Sequence, residues 1–215
     1  MYANTQNIPT TKAFQVSGLA SLGLIALTIV TAVLAYLPGH PDFSIFSTYL
    51  SDIGDTPGWP QIFFNSGTLL AAPLRYLILV LLVLRLRAFA RGSAAFEAGV
   101  LGVGAIATLG TVLMTAAPFS VSPGVHKTGI AFYFLGVIVL QTLIGVKELR
   151  LKELPRLLPG LSFAIVACFL IFMTFFMLSE SGQVGRSAPV IWEWMCLFSS
   201  TLWLAGHTLV LGKRN

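Results

Sequence analysis

Two aspartates within a short polar run are the first residues whose spacing suggests chemistry. Asp52 and Asp55 stand three positions apart in the turn-rich stretch at positions 49–60, and two carboxylates at that spacing can share a metal ion or hold one proton between them. The same letters also suit ordinary turn and helix-capping chemistry, because Ser51 and Asp52 can each bond a nearby backbone amide. Both interpretations stay open, and the structural one is favoured.

A histidine and a glutamate are expected at the same membrane depth as this polar run. His126 opens the predicted fourth span and Glu193 lies in the predicted first turn of the sixth, where a helix dipole stabilises a carboxylate without any further role. With Asp52, they form a set suited to acid–base catalysis or to headgroup binding. A zinc site from one histidine and two carboxylates, supplemented by His40 but not by the distant His207, has too few nitrogen or sulfur ligands. We therefore predict neither a metal nor a cofactor.

Arg75 is the most costly residue in the sequence, because it falls near the middle of an apolar segment. A charge at that depth costs roughly 3 kcal/mol even on the mildest scales, so it should face the bundle interior, water or a counter-charge. One alternative is that its stem reaches toward the cytoplasmic face through a kink at Pro73. The other is a functional role inside the bundle.

These residues make up the predicted site. The ligand-binding candidates are Ser51, Asp52, Asp55, His126, Glu193 and Arg75, and the catalytic candidates among them are Asp52, His126 and Glu193.

The composition determines which elements must position these residues. The chain has 215 residues, of which 56% are hydrophobic and only 10% charged, with a mean hydropathy of +0.85. A soluble domain of this size needs more surface charge, so we predict an integral membrane protein. The fold class is all-α: one six-span helical domain over residues 1–215, with spans at about 13–37, 62–84, 97–117, 127–146, 159–178 and 189–211.

The basic residues predict the orientation of this bundle. Nearly all of them fall on one side of a six-span arrangement, which places both termini in the cytoplasm and the polar run on the opposite face. Topology thus explains the net charge of +5, and nucleic acid is not an expected partner. The residues on the basic side are Lys12, Arg85, Arg87, Arg91, Lys147, Arg150, Lys152, Arg156, Lys213 and Arg214.

Short motifs make the chain similar to a known group of membrane proteins. They are the run at positions 49–54, Pro57 and the pair at 62–63, then His126 with Gly129 and Ala131, and the pair at 193–194. With these the chain resembles the Frag/DRAM/Sfk family, which shares the N-terminal domain of the yeast cell-wall protein Cwh. It resembles almost equally a sibling prokaryotic six-span family of unknown function, and the run at 64–67 is more similar to that family.

The resemblance implies six spans, cytoplasmic termini and an association with membrane lipids. Members are linked to remodelling of lipid-anchored proteins, to phospholipid asymmetry at the plasma membrane and to lysosomal autophagy, so the plasma membrane is the expected location. No settled mechanism comes with the family, and Asp52, His126 and Glu193 carry over only as pattern positions. The chain also has a more distant likeness to ceramidase-type hydrolases, but it lacks their clustered histidines.

Three hypotheses about function follow from these features. The leading one is a protein that binds or organises lipids through a polar cavity on the extracytoplasmic side. The alternatives are a membrane-embedded lipid hydrolase or acyltransferase and a small-solute transporter. A homo-oligomer is compatible with each of them.

Overall fold

The computed structural model describes residues 7–89 and 93–213, without the side chains of residues 7–9. Arg91 and Arg214, which entered the charge argument, lie outside the described residues. The described residues form seven α-helices, one short 3-10 turn and no strand. The helices are α1 (Asn7–Tyr36), α2 (Leu50–Asp55), α3 (Trp59–Arg87), α4 (Ala94–Ala116), α5 (Pro123–Leu149), α6 (Leu157–Glu180) and α7 (Ser187–Leu211).

Six of these helices are long and apolar enough to cross a membrane. In lipid a spanning backbone must satisfy its own polar groups, which is why the uncharged runs fold as continuous helices. The predicted all-α bundle with six spans is confirmed, and the chain is an integral membrane protein. The seventh helix, α2, has six residues and lies within the polar run that was predicted as a loop.

The helices differ from the predicted spans at their ends. Most begin or end a few residues beyond the predicted bounds, because a helix can continue past the hydrocarbon layer into the interface. As a result Arg85 and Glu148, both predicted in loops, are buried helical residues. α3 also continues through Pro73, whose ring is exposed on the helix surface.

The six long helices close into a ring. Each packs against two neighbours in the order α1, α3, α4, α5, α6, α7 and back to α1, and α2 lies against α3 and α1. The approach of α4 to α5 depends on glycine, because a Cβ at Gly110 would overlap the backbone of Tyr133 and a Cβ at Gly129 would overlap that of Met114. In contrast, a Cβ at Gly99 or Gly102 would meet open space.

The bundle has two distinct ends. The loop end carries α2 and the connections at 117–122 and 181–186. The basic end carries the end of α3, the start of α4, the connection at 150–156, the start of α1 and the end of α7. At the basic end the guanidinium of Arg85 donates to the carbonyl of Leu211, at 3.1 Å, which ties α3 to α7. Which end faces the cytoplasm stays a prediction from the basic residues.

Candidate functional site

A cavity of about 350 Å³ lies inside the ring of helices. All seven helices contribute to its lining, which is largely apolar with a few polar side chains. On α5 the lining runs from His126 to Gln141, and fifteen residues at about 1.5 Å each give a length of about 22 Å along the helix axis. Concave, mostly apolar sites with a few convergent polar groups are the usual form of small-ligand sites.

Arg75 on α3 lines this cavity and points toward the loop end. Its Nη2 lies 3.5 Å from Oγ1 of Thr111, and its guanidinium carbon lies 6.0 Å from the ring centre of Tyr133. Thr111 is five residues from the loop end of α4 and Tyr133 ten from that of α5, so the guanidinium lies in the half of the bundle nearer the loop end. With the loop end predicted on the extracytoplasmic side, the alternative in which the Arg75 stem reaches toward the cytoplasmic face is wrong. Helical side chains tilt toward the N-terminus of their helix, which for α3 is the loop end.

The guanidinium of Arg75 has few protein partners. It carries five N–H donors, and its hydrogen-bond partners are the hydroxyl of Thr111, at 3.5 Å, and the phenol of Tyr133. No carboxylate in the described part of the chain pairs with it. The cavity therefore contains a cation with unused N–H donors and without a direct anionic partner among the described residues.

Glu193 lines the same cavity and is held by α2. The backbone N–H of Leu50 donates to its Oε2 at 2.5 Å, and the amide and hydroxyl of Ser51 approach the same carboxylate. The sequence placed Glu193 in the first turn of the sixth span, whereas α7 begins at Ser187 and Glu193 is in the second turn. This carboxylate therefore holds the start of α2 over the cavity.

His126 lies in the first turns of α5, is 8% exposed and lines the cavity. Its Nδ1 is 2.8 Å from the carbonyl oxygen of Met114 and 3.2 Å from that of Ala117. Since a carbonyl can only accept, Nδ1 carries the hydrogen, and in the neutral ring Nε2 is left as an acceptor. His126 thus ties α5 to the end of α4.

The two aspartates do not line the cavity. Both oxygens of Asp52 accept from Nη2 of Arg186, at 2.5 and 2.6 Å, and Oδ2 also accepts from the backbone N–H of Tyr49 at 2.9 Å. Asp55 accepts from the backbone N–H and the hydroxyl of Ser120, at 3.0 and 2.5 Å. They fasten α2 to the start of α7 and to the α4–α5 connection, so the expectation that Asp52 faces the cavity is not met.

Tyr49 completes the attachment of α2. Its hydroxyl donates to the carbonyl of Arg186 at 3.2 Å, and the guanidinium carbon of Arg186 lies 5.0 Å from its ring centre. Burial, with the nearby charge of Glu193, raises the pKa of the Tyr49 phenol to about 12. The phenol therefore stays protonated well above its ordinary range.

The structure thus brings together four of the six predicted ligand-binding residues. Ser51, Arg75, His126 and Glu193 line one cavity, whereas Asp52 and Asp55 hold α2 in place above it. Their roles in binding or catalysis stay predictions. Across residues 7–89 and 93–213, no group of three or more His, Cys, Asp or Glu side chains could hold a metal ion.

Two polar features inside the bundle escaped the sequence analysis. Gln141 is buried and lines the cavity, and a lone amide within an apolar span was the available signal. Glu148 and His207 form a pair with no exposed side-chain surface, at 2.7 Å between Oε1 and Nε2. His207 was predicted far from the loop end, as found, but Glu148 was assigned to a basic loop and its pairing was not foreseen.

Comparison with known protein families gives a match over most of the chain. A family model described as the Frag1/DRAM/Sfk1/Cwh43P N-terminal domain matches residues 15–206, which confirms the first of the two resemblances. No curated protein matches the chain, and no solved structure matches it.

Proposed function

Because the chain belongs to the Frag1/DRAM/Sfk1/Cwh43P N-terminal domain family of membrane proteins, we propose that it binds an anionic membrane lipid, with the lipid's acidic group at Arg75 and apolar part in the cavity. The proposal also places the protein in the plasma membrane, with the loop end on the extracytoplasmic side.

The observation that carries this proposal is the charge of Arg75. A charged residue inside a membrane bundle persists only where something stabilises it. This guanidinium has the neutral hydroxyls of Thr111 and Tyr133 as partners but no carboxylate partner among the described residues. A phosphate or carboxylate would form short, charge-assisted and bidentate hydrogen bonds with it. The carboxylate of Glu193 does not compete for Arg75, because Leu50 and Ser51 at the start of α2 already engage it.

The size of the cavity limits what part of the lipid it encloses. A volume of about 350 Å³ is at the lower end of the range for small-ligand sites. It suits one headgroup or one hydrocarbon chain rather than a complete two-chain phospholipid. The helix α2 contributes Leu50, Ser51 and Gly54 to the lining at the loop end, so a ligand bound there would contact α2.

The test is the lipid content of the purified protein, measured by mass spectrometry after incubation with a native lipid extract. We expect the wild-type protein to retain one class of anionic lipid. Arg75→Gln should retain at least tenfold less of that lipid, which is equivalent to about 1.4 kcal/mol of binding free energy. The matched control is Arg150→Gln, the same change at an exposed position in the loop at the basic end.

The outcomes separate this proposal from its alternatives. Equal lipid retention by Arg75→Gln and Arg150→Gln would refute the role of Arg75. A new lipid product, missing with Glu193→Gln or His126→Ala, would instead identify a hydrolase or acyltransferase. Solute uptake into proteoliposomes that Arg75→Gln abolishes would identify a transporter.

A further inference from the structure

Gln141 places an unsatisfied polar atom deep in the bundle. Its Oε1 is buried and has no hydrogen-bond partner, and the residue is only 6% exposed. A buried acceptor without a donor is destabilising, so native proteins rarely retain one without a reason.

The position of this side chain distinguishes it from other buried polar groups. Ser21 and Thr208 also have buried hydroxyl oxygens without a partner, but they are not part of the cavity lining, whereas Gln141 is. The preceding lining residues on α5, Val137 and Leu140, are apolar. Polar side chains within spanning helices that face the interior commonly mark a binding site or pathway.

The depth of Gln141 can be compared with that of the guanidinium of Arg75. Tyr133, whose ring lies beside that guanidinium, precedes Gln141 by eight residues on α5. At about 1.5 Å per residue the two levels are about 12 Å apart, with Gln141 nearer the basic end. A chain whose acidic group is at Arg75 would pass Gln141 near the middle of its length.

We infer that the ligand is a single-chain acid with a hydroxyl group near the middle of its chain, which donates a hydrogen bond to Gln141. This rests on the proposed function, since the acidic group at Arg75 sets the register of the chain. Oε1 has almost no accessible surface, so the amide must rotate to present it to the cavity that Gln141 lines. This terminal torsion of glutamine is broad. An amide oxygen only accepts, which is why the complementary group is a donor.

The experiment compares three acids with the purified wild-type protein in micelles. The probes are stearate, stearate hydroxylated on the second carbon and stearate hydroxylated on the tenth carbon, with affinities measured by calorimetry. A ligand hydroxyl group that finds no hydrogen-bond partner in an apolar cavity should weaken binding. We expect the acid hydroxylated on the tenth carbon to bind about tenfold more tightly than stearate, and the other isomer to bind no better than stearate.

The variants assign this preference to the amide. Gln141→Leu should bind stearate as the wild type does and lose the preference for the tenth-carbon hydroxyl, whereas Gln61→Leu, at the start of α3 and outside the cavity lining, should keep it. If Gln141→Leu does not fold, the comparison of the three acids on the wild type still decides.

Two results would overturn the inference. One is that the wild type binds stearate at least as tightly as it binds the acid hydroxylated on the tenth carbon. The other is that Gln141→Leu keeps the preference for that hydroxylated acid. In either case stearate binding that depends on Arg75 would leave the proposed function standing. If no anionic lipid from the extract and none of the three acids binds the wild type, both the inference and the proposed function fail.

Discussion

Replacing the buried pair Glu148 and His207, singly and together, tests how the basic end of the bundle is stabilised. Oε1 of Glu148 lies 2.7 Å from Nε2 of His207. On the glutamate side, Ser162 donates to Oε2 of Glu148 at 3.3 Å, and Trp203 donates from Nε1 to Oγ of Ser162 at 2.9 Å. The three variants are Glu148→Leu, His207→Leu and the double replacement.

The hydrogen-bond pattern limits where the protons are. Nδ1 of His207 lies 2.8 Å from the carbonyl oxygen of Trp203, so it carries a hydrogen. One further proton then lies between Nε2 and Oε1, and the pair as a whole is neutral whether it is an ion pair or a neutral acid beside a neutral imidazole. Removing one partner leaves the other buried without its bond.

The two descriptions of the pair, a buried ion pair and a neutral hydrogen bond, predict different losses of stability when one partner is removed. Breaking a buried ion pair by removing one partner costs about 3 to 5 kcal/mol, whereas hydrogen bonds between membrane helices contribute about 0.6 kcal/mol on average and up to about 1.7. Because both side chains are fully buried, we expect each single replacement to lower the free energy of unfolding by about 3 kcal/mol. The double replacement should cost much less than the sum, with a coupling energy of about 2 kcal/mol or more.

The assay is reversible unfolding in mixed micelles, followed by the intrinsic tryptophan fluorescence. Trp203 contributes to this signal, and its ring centre lies 4.1 Å from that of His207. The control is the same cycle on Lys127 and Glu180, an ion pair of 2.8 Å at the loop end whose side chains are 49% and 54% exposed. An exposed pair should couple by at most about 1 kcal/mol.

A coupling energy for Glu148 and His207 no larger than that of the exposed control pair would refute this reasoning. A value between about 1 and 1.7 kcal/mol would instead indicate a neutral hydrogen bond.

Three further predictions concern the packing and the α2 segment. Gly110→Ala should reduce the yield of folded protein in a thermal-aggregation assay, because its methyl group would overlap the backbone of α5, while Gly102→Ala, which faces open space, should not. Asp52→Ala should speed hydrogen exchange of the α2 amides about fivefold, the equivalent of about 1 kcal/mol, because its side chain caps the helix and pairs with Arg186; unchanged exchange would contradict this. Because the Tyr49 phenol has a raised pKa in the folded protein, stability should fall as pH rises from about 10 to about 12, and Tyr49→Phe should lose less stability over that interval in unfolding titrations.

The number and type of the membrane spans could be predicted from the sequence, because a membrane constrains a chain strongly. Uncharged runs of about 20 residues must form helices in lipid, and the turn-forming residues at 49–60 had to interrupt them. What could not be predicted was local: Asp52 within a six-residue helix, or Arg85 and Glu148 inside helices rather than in loops. Charges near a span end look the same in sequence whether they face water or a buried partner.

The sequence by itself determined that residues 51, 75, 126 and 193 belong to a membrane bundle, and that Arg75 needs a polar environment within it. Only the tertiary structure decided which of them share a cavity. Asp52 and Glu193 were equal candidates in the sequence, yet one pairs with Arg186 and the other lines the interior. The reason is that the rotation of each helix about its axis follows from packing contacts such as Gly110 against the backbone of α5, and those contacts join residues far apart in the chain.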